Sequence, residues 1–447
     1  MKSILYPTIS SNRIFVAASI ILISVLLVDG SLANIYAFID SVAGPDEQYY
    51  IFIIIATTFV LGQYFILAVA RNRIGRIKSP LTLPRIIHNI NTLSNYLLAI
   101  LLVVIILEMY IESSYNTILL LLVLVVSYGW SCIALGLLAF RFFLWFKSRG
   151  SLNVLLYGIS ASAFIISNIF MMTFVSYVTP QIGDMIQPHG HLIMYFNNPG
   201  SPEYFMYNGY VSCSILSFIL FWVSTAMILR HYSKRLGIAK YWILVSIPLV
   251  YFLSQFFAVF FSLFNSLMVQ NPLVYGIILS LTFSISKSVG GILFGIACWV
   301  MAKKTNQIAT ITDFLKIAAV GFMLLYVSER DISLTSAPYP PLGLVSVATV
   351  GLASYLIMIA LYYSAISLSN EIRTRKIILD LALQEFSLLS NIGFAQNEKE
   401  IENMVDKVVK KHSAIIETKA AEIISPEDIK EYTLEVLNEV KKLKGHR

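Results

Sequence analysis

The sequence predicts an all-α protein: a bundle of transmembrane helices followed by a helical, coiled-coil-like tail. Of its 447 residues 57% are hydrophobic and only 13% are charged, about half the charged share of a soluble protein. Apolar stretches long enough to cross a bilayer also recur about ten times. We divide the chain into a bundle, residues 1–368, and a cytoplasmic tail, residues 369–447, where acidic and basic residues alternate.

A spanning helix needs about 20 mainly apolar residues to cross roughly 30 Å of hydrocarbon. The stretches that meet this requirement are 14–38, 49–70, 91–112, 116–145, 152–178, 208–229, 241–268, 273–301, 311–328 and 342–367. The first stretch has a second interpretation, because Lys2 and Arg13 precede it as in a cleavable signal peptide. Apolar residues resume at 35–39, which favours a retained helix.

Charged residues in the connecting loops predict the orientation of the bundle. Arginine and lysine collect in alternate loops, and basic loops favour the cytoplasmic side. Both termini are therefore expected inside the cell, in a plasma membrane. The loops assigned outside contain one basic residue, Arg330, against the acids Asp40, Asp46, Glu47, Glu112, Asp184, Glu203, Glu329 and Asp331. Residues 1–368 hold 19 basic and 11 acidic residues, which fits contact with anionic lipid and not with nucleic acid.

Lys287 is the most unexpected charge, because it falls near the middle of the eighth predicted span. It is expected to share a helix face with Ser284, and Ser288 flanks that face. A buried cation pairs with a carboxylate, holds an anionic ligand or titrates; the serines and nearby glycines equally fit a plain packing seam. Candidate partners are Asp29, which is expected to interrupt the first span, and Glu108 in the third. Each also has an ordinary interpretation, as a turn residue and an interfacial residue respectively.

The longest external loop, 179–207, contains His189 and His191. Imidazole is a suitable ligand for zinc or copper, so this pair is a candidate metal site. The alternative is a solvated loop, since a loop does not enforce ligand geometry. No other cofactor is expected. The sequence also lacks a nucleophile with a base, a metal-binding helix and a phosphate loop, so we do not expect an enzyme.

The predicted tail carries apolar side chains at helical spacing: Ile401, Val405, Val408 and Ile415 recur at steps of four, three and seven. This spacing is typical of a coiled-coil seam. An amphipathic helix must cover its apolar face. We therefore expect the tail to bind a protein partner or a second copy of the chain.

Three stretches resemble multi-pass membrane proteins of unassigned function from archaea: 230–237 (RHYSKRLG), 241–256 (YWILVSIPLVYFLSQF) and 360–379 (ALYYSAISLSNEIRTRKIIL). The resemblance implies an archaeal plasma membrane and identifies no site residue.

Three functions fit the sequence. The first is a sensor that passes a change in the bundle into the tail, because the tenth predicted span continues into a cytoplasmic helix. The second is a secondary transporter, because two halves of five spans would have inverted topology. The third is a structural subunit of a membrane complex, held through the tail. The ligand or substrate is not identified by any motif.

Overall fold

The computed structural model describes residues 12–35, 39, 44–74, 82–182, 185–186, 200–230, 233–257, 265–305, 309–329, 339–370 and 396. Its helices are α1 Asn12–Asn34, α2 Pro45–Ile74, α3 Thr82–Glu112, α4 Thr117–Arg149, α5 Leu152–Ile182, α6 Pro202–Leu229, α7 Ser233–Leu236, α8 Ile238–Ser254, α9 Asn265–Gln270, α10 Pro272–Ser284, α11 Ser286–Lys304, α12 Ala309–Ser328 and α13 Leu344–Asn370. Two short strands, β1 Tyr115–Asn116 and β2 Met185–Ile186, pair antiparallel.

Within the described ranges, nine helices are long and apolar enough to cross a membrane: α1 to α6, α11 together with the end of α10, α12 and α13. This finding confirms the predicted all-α, multi-pass bundle. The seventh predicted span, 241–268, is reproduced only in part. Helix α8 has 17 residues, about 25 Å, and ends at Ser254, while residues 258–264 lie outside the described part of the chain.

Helix α13 forms the centre of the bundle. Its spanning segment is 100% buried, whereas about a third of each of α1, α2 and α3 is buried. The sequence of α13 is apolar on every face and carries no charge, as expected of a helix that is surrounded on all sides. Gly351 allows the close contact with α4, because a Cβ there would lie 2.8 Å from the carbonyl oxygen of Ser127.

Three connections that were predicted to be external, those after α3, after α5 and before α13, meet at one end of the bundle. Strand β1 follows α3, strand β2 follows α5, and the two pair. Tyr115 of β1 stacks on Tyr339, which precedes α13, with ring centroids 6.3 Å apart. At the opposite end Arg73 of α2 pairs with Asp313 of α12 at 3.0 Å. The grouping of these connections agrees with the predicted topology, and the side that faces the cell interior remains a prediction.

The prediction that Asp29 interrupts the first span is wrong, because α1 continues through Asp29 to Asn34. The buried carboxylate of Asp29 accepts hydrogen bonds from the backbone N–H groups of Gly343 and Ser346, at 2.7 and 2.9 Å, and from the Ser346 hydroxyl at 2.8 Å. The first N–H groups of a helix lack partners within the helix. Asp29 satisfies them at the start of α13, so α1 accommodates the charge without a turn.

Candidate functional site

The eighth predicted span is broken beside Lys287. Helix α10 ends at Ser284 and α11 begins at Ser286, with Ile285 between them in neither helix. Lys287 is therefore the second residue of α11 and does not lie in the middle of a continuous helix. Ser284 and Lys287 therefore belong to different helices, and because the side chain of Ser284 lies outside the described structure, their shared face remains a prediction.

The partner of Lys287 is Glu329, which directly follows α12. The ammonium of Lys287 lies 3.1 Å from Oε1 of Glu329. The same oxygen accepts a hydrogen bond from the Ser214 hydroxyl at 2.6 Å. Lys287 also donates to the Tyr210 hydroxyl at 3.4 Å and lies 5.5 Å from the centre of the Tyr210 ring. The side chain of Glu329 is 3% exposed and that of Lys287 16%, so the pair is largely removed from solvent.

Helix α6 supplies the other half of this site. Tyr210 and Ser214 are four residues apart and so lie on one helix face. The next turn on that face carries Ser217, which exchanges hydrogen bonds with Ser160 of α5: each hydroxyl donates to the other residue's carbonyl oxygen, at 2.8 and 3.0 Å. The polar face of α6 thus holds α5 on one side and contacts Glu329 on the other. We call Tyr210, Ser214, Lys287 and Glu329 the ion-pair site.

Both charges of the ion-pair site oppose the dipoles of their own helices. Lys287 is a cation at the N-terminus of α11, and Glu329 is an anion at the C-terminus of α12; helix dipoles favour the reverse, by about 0.3–1 kcal/mol for each charge. In the Arg73–Asp313 pair neither charge opposes its helix dipole, since Arg73 is in the last turn of α2 and Asp313 is the fifth residue of α12, beyond its first turn. The two ion pairs therefore differ in how much each charge depends on its partner.

Two buried serines are sequence neighbours of the ion-pair residues. Ser288 follows Lys287 and Ser328 precedes Glu329, and both side chains are at most 1% exposed. Neither hydroxyl oxygen has a hydrogen-bond partner within the described residues. Buried polar groups in proteins are normally satisfied by protein or by ordered water. Each of these two hydroxyls therefore has hydrogen-bonding capacity that ordered water can satisfy.

The structure does not bring the two predicted carboxylate partners to Lys287. Asp29 binds the start of α13, as described above. Glu108 accepts a hydrogen bond from the backbone N–H of Asn116 at 3.0 Å, and so fixes the connection between α3 and α4. The hydroxyl of Ser288 contacts neither charge by a hydrogen bond within the described residues, and the carboxylate that pairs with Lys287 is one that the sequence places in an external loop.

Glycines in α11 form a close-packing seam, which the sequence offered as the alternative to a ligand site at Lys287. A Cβ on Gly290 would meet the Phe218 ring at 2.3 Å, and a Cβ on Gly291 would meet Tyr326 Cβ at 2.7 Å. A Cβ on Gly295 would lie 2.6 Å from the Met323 side chain. Small residues let membrane helices approach closely. The glycine seam and the ion pair are thus both part of the contact between α11 and α12, so the two interpretations of the sequence do not exclude each other.

A column of buried aromatic rings leads away from the ion-pair site. Its members are Tyr326, Phe221, Tyr157, Phe142 and Trp145, and their successive ring centroids are 6.0, 5.6, 5.7 and 5.5 Å apart. These distances are typical of packed aromatic pairs. Tyr326 is on α12, one turn before the carboxylate of the ion-pair site, and Trp145 is near the end of α4. We call these five rings the aromatic column.

The aromatic column ends at a residue of the C-terminal segment. The indole N–H of Trp145 donates a hydrogen bond of 3.2 Å to the side-chain oxygen of Gln396, and both residues are buried. Gln396 is the one described residue beyond α13. Gln396 therefore contacts the bundle near the end of α4, 26 residues after α13 ends at Asn370. The contact could not be predicted from the sequence, since neither residue belongs to a motif.

Several predicted site residues lie outside the described residues. These are His189 and His191 of the candidate metal site and Ile401, Val405, Val408 and Ile415 of the candidate coiled-coil seam. Within the part of the chain that is described, no group of three or more histidine, cysteine, aspartate or glutamate side chains is placed to hold a metal ion. The metal site and the seam remain predictions.

The fold and the site define a multi-pass helical membrane protein with a buried ion pair. No family model, no curated protein and no solved structure matches the chain. The resemblance of residues 230–237, 241–256 and 360–379 to archaeal membrane proteins remains an expectation from the sequence.

Proposed function

We propose that this protein is a signal-transducing membrane module, in which a change at the ion-pair site is passed to the C-terminal segment. The observation that carries the proposal is the aromatic column, which runs from Tyr326, beside the ion pair, to Trp145, which contacts Gln396. Its rings come from four helices, α12, α6, α5 and α4, so a shift of α12 against α6 displaces the packing of the others.

The mechanism requires two arrangements of the bundle. In one, Lys287 and Glu329 are paired; in the other, a ligand or a proton takes the place of one partner. A ligand shifts the equilibrium only by its difference in affinity for the two states. The opposed helix dipoles weaken the paired state, and Tyr210 and Ser214, which already bind the two charges, offer hydrogen bonds to a group that replaces one partner. The breaking of the pair then releases α12 from α11 and α6.

The proposal is tested on the full-length protein in lipid nanodiscs by limited trypsin digestion. Cleavage is followed at Arg373, Arg375 and Lys376, which lie between α13 and Gln396 in the sequence. The substitution Glu329→Gln removes one partner of the ion pair. We expect it to change the cleavage rate at these sites by about fivefold, since coupling energies between distant sites are on the order of 1 kcal/mol.

Glu108→Gln is the matched control, because it makes the same chemical change at the same end of the bundle and outside the ion-pair site. It should leave the cleavage rate as in the wild type. Phe142→Leu interrupts the aromatic column and should abolish the effect of Glu329→Gln in the double variant. Equal cleavage in Glu329→Gln and wild type, with both folded, contradicts the proposal, and so does an equal effect of Glu108→Gln.

A second candidate function, secondary transport, is favoured by the break between α10 and α11. Broken helices beside charged side chains are common at the substrate sites of transporters. If the break serves proton-coupled transport, a proton gradient across vesicles that contain the protein should collapse faster than across empty vesicles. Lys287→Leu should remove that difference. An unchanged gradient in the wild type favours the signalling function.

A further inference from the structure

A cavity lies between α3, α4 and α13, and no residue of the ion-pair site lines it. Its volume is about 220 Å³. The wall is almost wholly apolar and is formed by Ile87, Leu137, Phe140, Met358 and their neighbours, with Arg141 and Tyr362 at its polar edge. Apolar cavities of about 150 Å³ remain dry and take up small hydrocarbons. We call this cavity the Arg141 groove.

The Arg141 groove opens on the outer surface of the bundle. Phe140 is 62% exposed and Leu137 37% exposed, and both belong to the membrane-spanning part of α4. The neighbour that such a surface meets is the acyl chain of a lipid. The groove therefore offers a lipid chain a place that is continuous with the bilayer.

Arg141 places a positive charge at the edge of this groove without a carboxylate. Its guanidinium lies 5.3 Å from the centre of the Tyr362 ring, and no acidic side chain of the described residues forms an ion pair with it. Arg141 is eight residues before the end of α4 at Arg149, about 12 Å along the helix. Helix α4 has 33 residues, about 50 Å, so this position lies near the edge of a hydrocarbon core of roughly 30 Å, where a guanidinium can reach lipid phosphates.

We propose that the Arg141 groove binds one anionic lipid, whose phosphate pairs with Arg141 and whose acyl chain fills the apolar cavity. The guanidinium offers several N–H donors in a plane that matches the oxygens of a phosphate. The Tyr362 ring holds the guanidinium toward α13 and so keeps it at the edge of the cavity. The lipid would contact the central helix α13 directly through Met358 and Tyr362.

The test is native mass spectrometry of the full-length protein in detergent. The protein is titrated with phosphatidylglycerol and, separately, with phosphatidylcholine of the same acyl chains. We expect the first lipid to bind about fivefold more tightly than its neutral counterpart, which corresponds to about 1 kcal/mol for one basic residue. Arg141→Gln should remove this preference, and Arg141→Lys should retain most of it.

Two further variants separate the groove from general surface charge. Leu137→Trp fills the cavity and should weaken the binding of both lipids. Lys147→Gln removes an exposed cation from the end of the same helix and should keep the preference for phosphatidylglycerol. An unchanged preference in folded Arg141→Gln overturns the proposal. If Arg141→Gln does not fold, strong binding of both lipids by Leu137→Trp, or loss of the preference in Lys147→Gln, overturns it equally.

Discussion

Asp313, in the second turn of α12, and Glu329, directly after its last residue, lie about 24 Å apart along the helix, and each forms an ion pair with a different helix. Arg73 meets Asp313 from the last turn of α2, where the helix dipole favours a cation, whereas Lys287 and Glu329 both oppose the dipoles of their own helices. Glu329 therefore depends more on its partner than Asp313 does.

Removal of the Glu329 charge should destabilise the protein more than removal of the Asp313 charge. Glu329→Gln leaves Lys287 without a partner in a buried site, where loss of one partner costs about 3–5 kcal/mol. Asp313→Asn affects a pair whose carboxylate is 23% exposed, and we expect about 1 kcal/mol. Reversible unfolding in mixed detergent micelles measures both values.

A double-mutant cycle separates the ion pair from the individual side chains. Lys287→Met combined with Glu329→Gln should be more stable than the sum of the single effects predicts, by about 1–3 kcal/mol, because no unpaired charge remains. Strictly additive effects would show that the two side chains do not interact.

Asp29 should contribute strongly to stability through α13. Asp29→Ala leaves two backbone N–H groups at the start of α13 without their acceptor, and we expect a loss of about 2 kcal/mol or more. Asp46→Ala is the matched control, because Asp46 is an exposed acid in the first turn of α2. The melting temperatures of the purified variants measure the difference, and equal temperatures would contradict the capping role of Asp29.

The glycine seam of α11 should tolerate no side chain. Gly291→Ala places a methyl group 2.7 Å from Tyr326 Cβ, so α11 and α12 must separate, at a cost of about 1–3 kcal/mol. Gly129→Ala on α4 has no atom within 4 Å of the new methyl group and should be neutral or stabilising by up to about 1 kcal/mol. Thermal unfolding of the two variants compares them directly.

The predicted orientation is tested by labelling with a membrane-impermeant maleimide in intact cells. The three native cysteines, Cys132, Cys213 and Cys298, are first replaced by serine or alanine. Asn197→Cys, in the external loop, should react from outside, and Ser413→Cys, in the tail, should react only after the cells are broken. Labelling of Ser413→Cys in intact cells would place the tail outside and would reverse the direction of the proposed signal.

The helical bundle was predictable because lipid leaves few choices: an apolar run of about 20 residues must satisfy its backbone within itself. The break at Ile285 was not, because residues 273–301 hold no proline and the serines around the break fit a packing seam equally well. The role of Asp29 was not predictable either, since the Asp-Gly-Ser sequence resembles a turn and the carboxylate accepts from Gly343, more than 300 residues away.

The partner of Lys287 was missed for a related reason. Glu329 was grouped with the acids of an external loop because it follows an apolar run directly. Whether a residue at a helix end is buried depends on the surrounding helices, and the local sequence does not show which helices these are. A carboxylate that directly follows a span is therefore as good a candidate partner for a lysine in another span as a carboxylate within a span.

The complete burial of α13 has a consequence for biosynthesis. The helices α1 to α4 and α12 enclose it, and they emerge from the ribosome first. They therefore enter the membrane before α13 is present. Their inward polar groups, among them Ser127 and Ser131, face lipid or the insertion machinery during that interval. Closure of the bundle must therefore wait until translation has passed the end of α13, and an arrested nascent chain shorter than this should be a target for quality-control proteases.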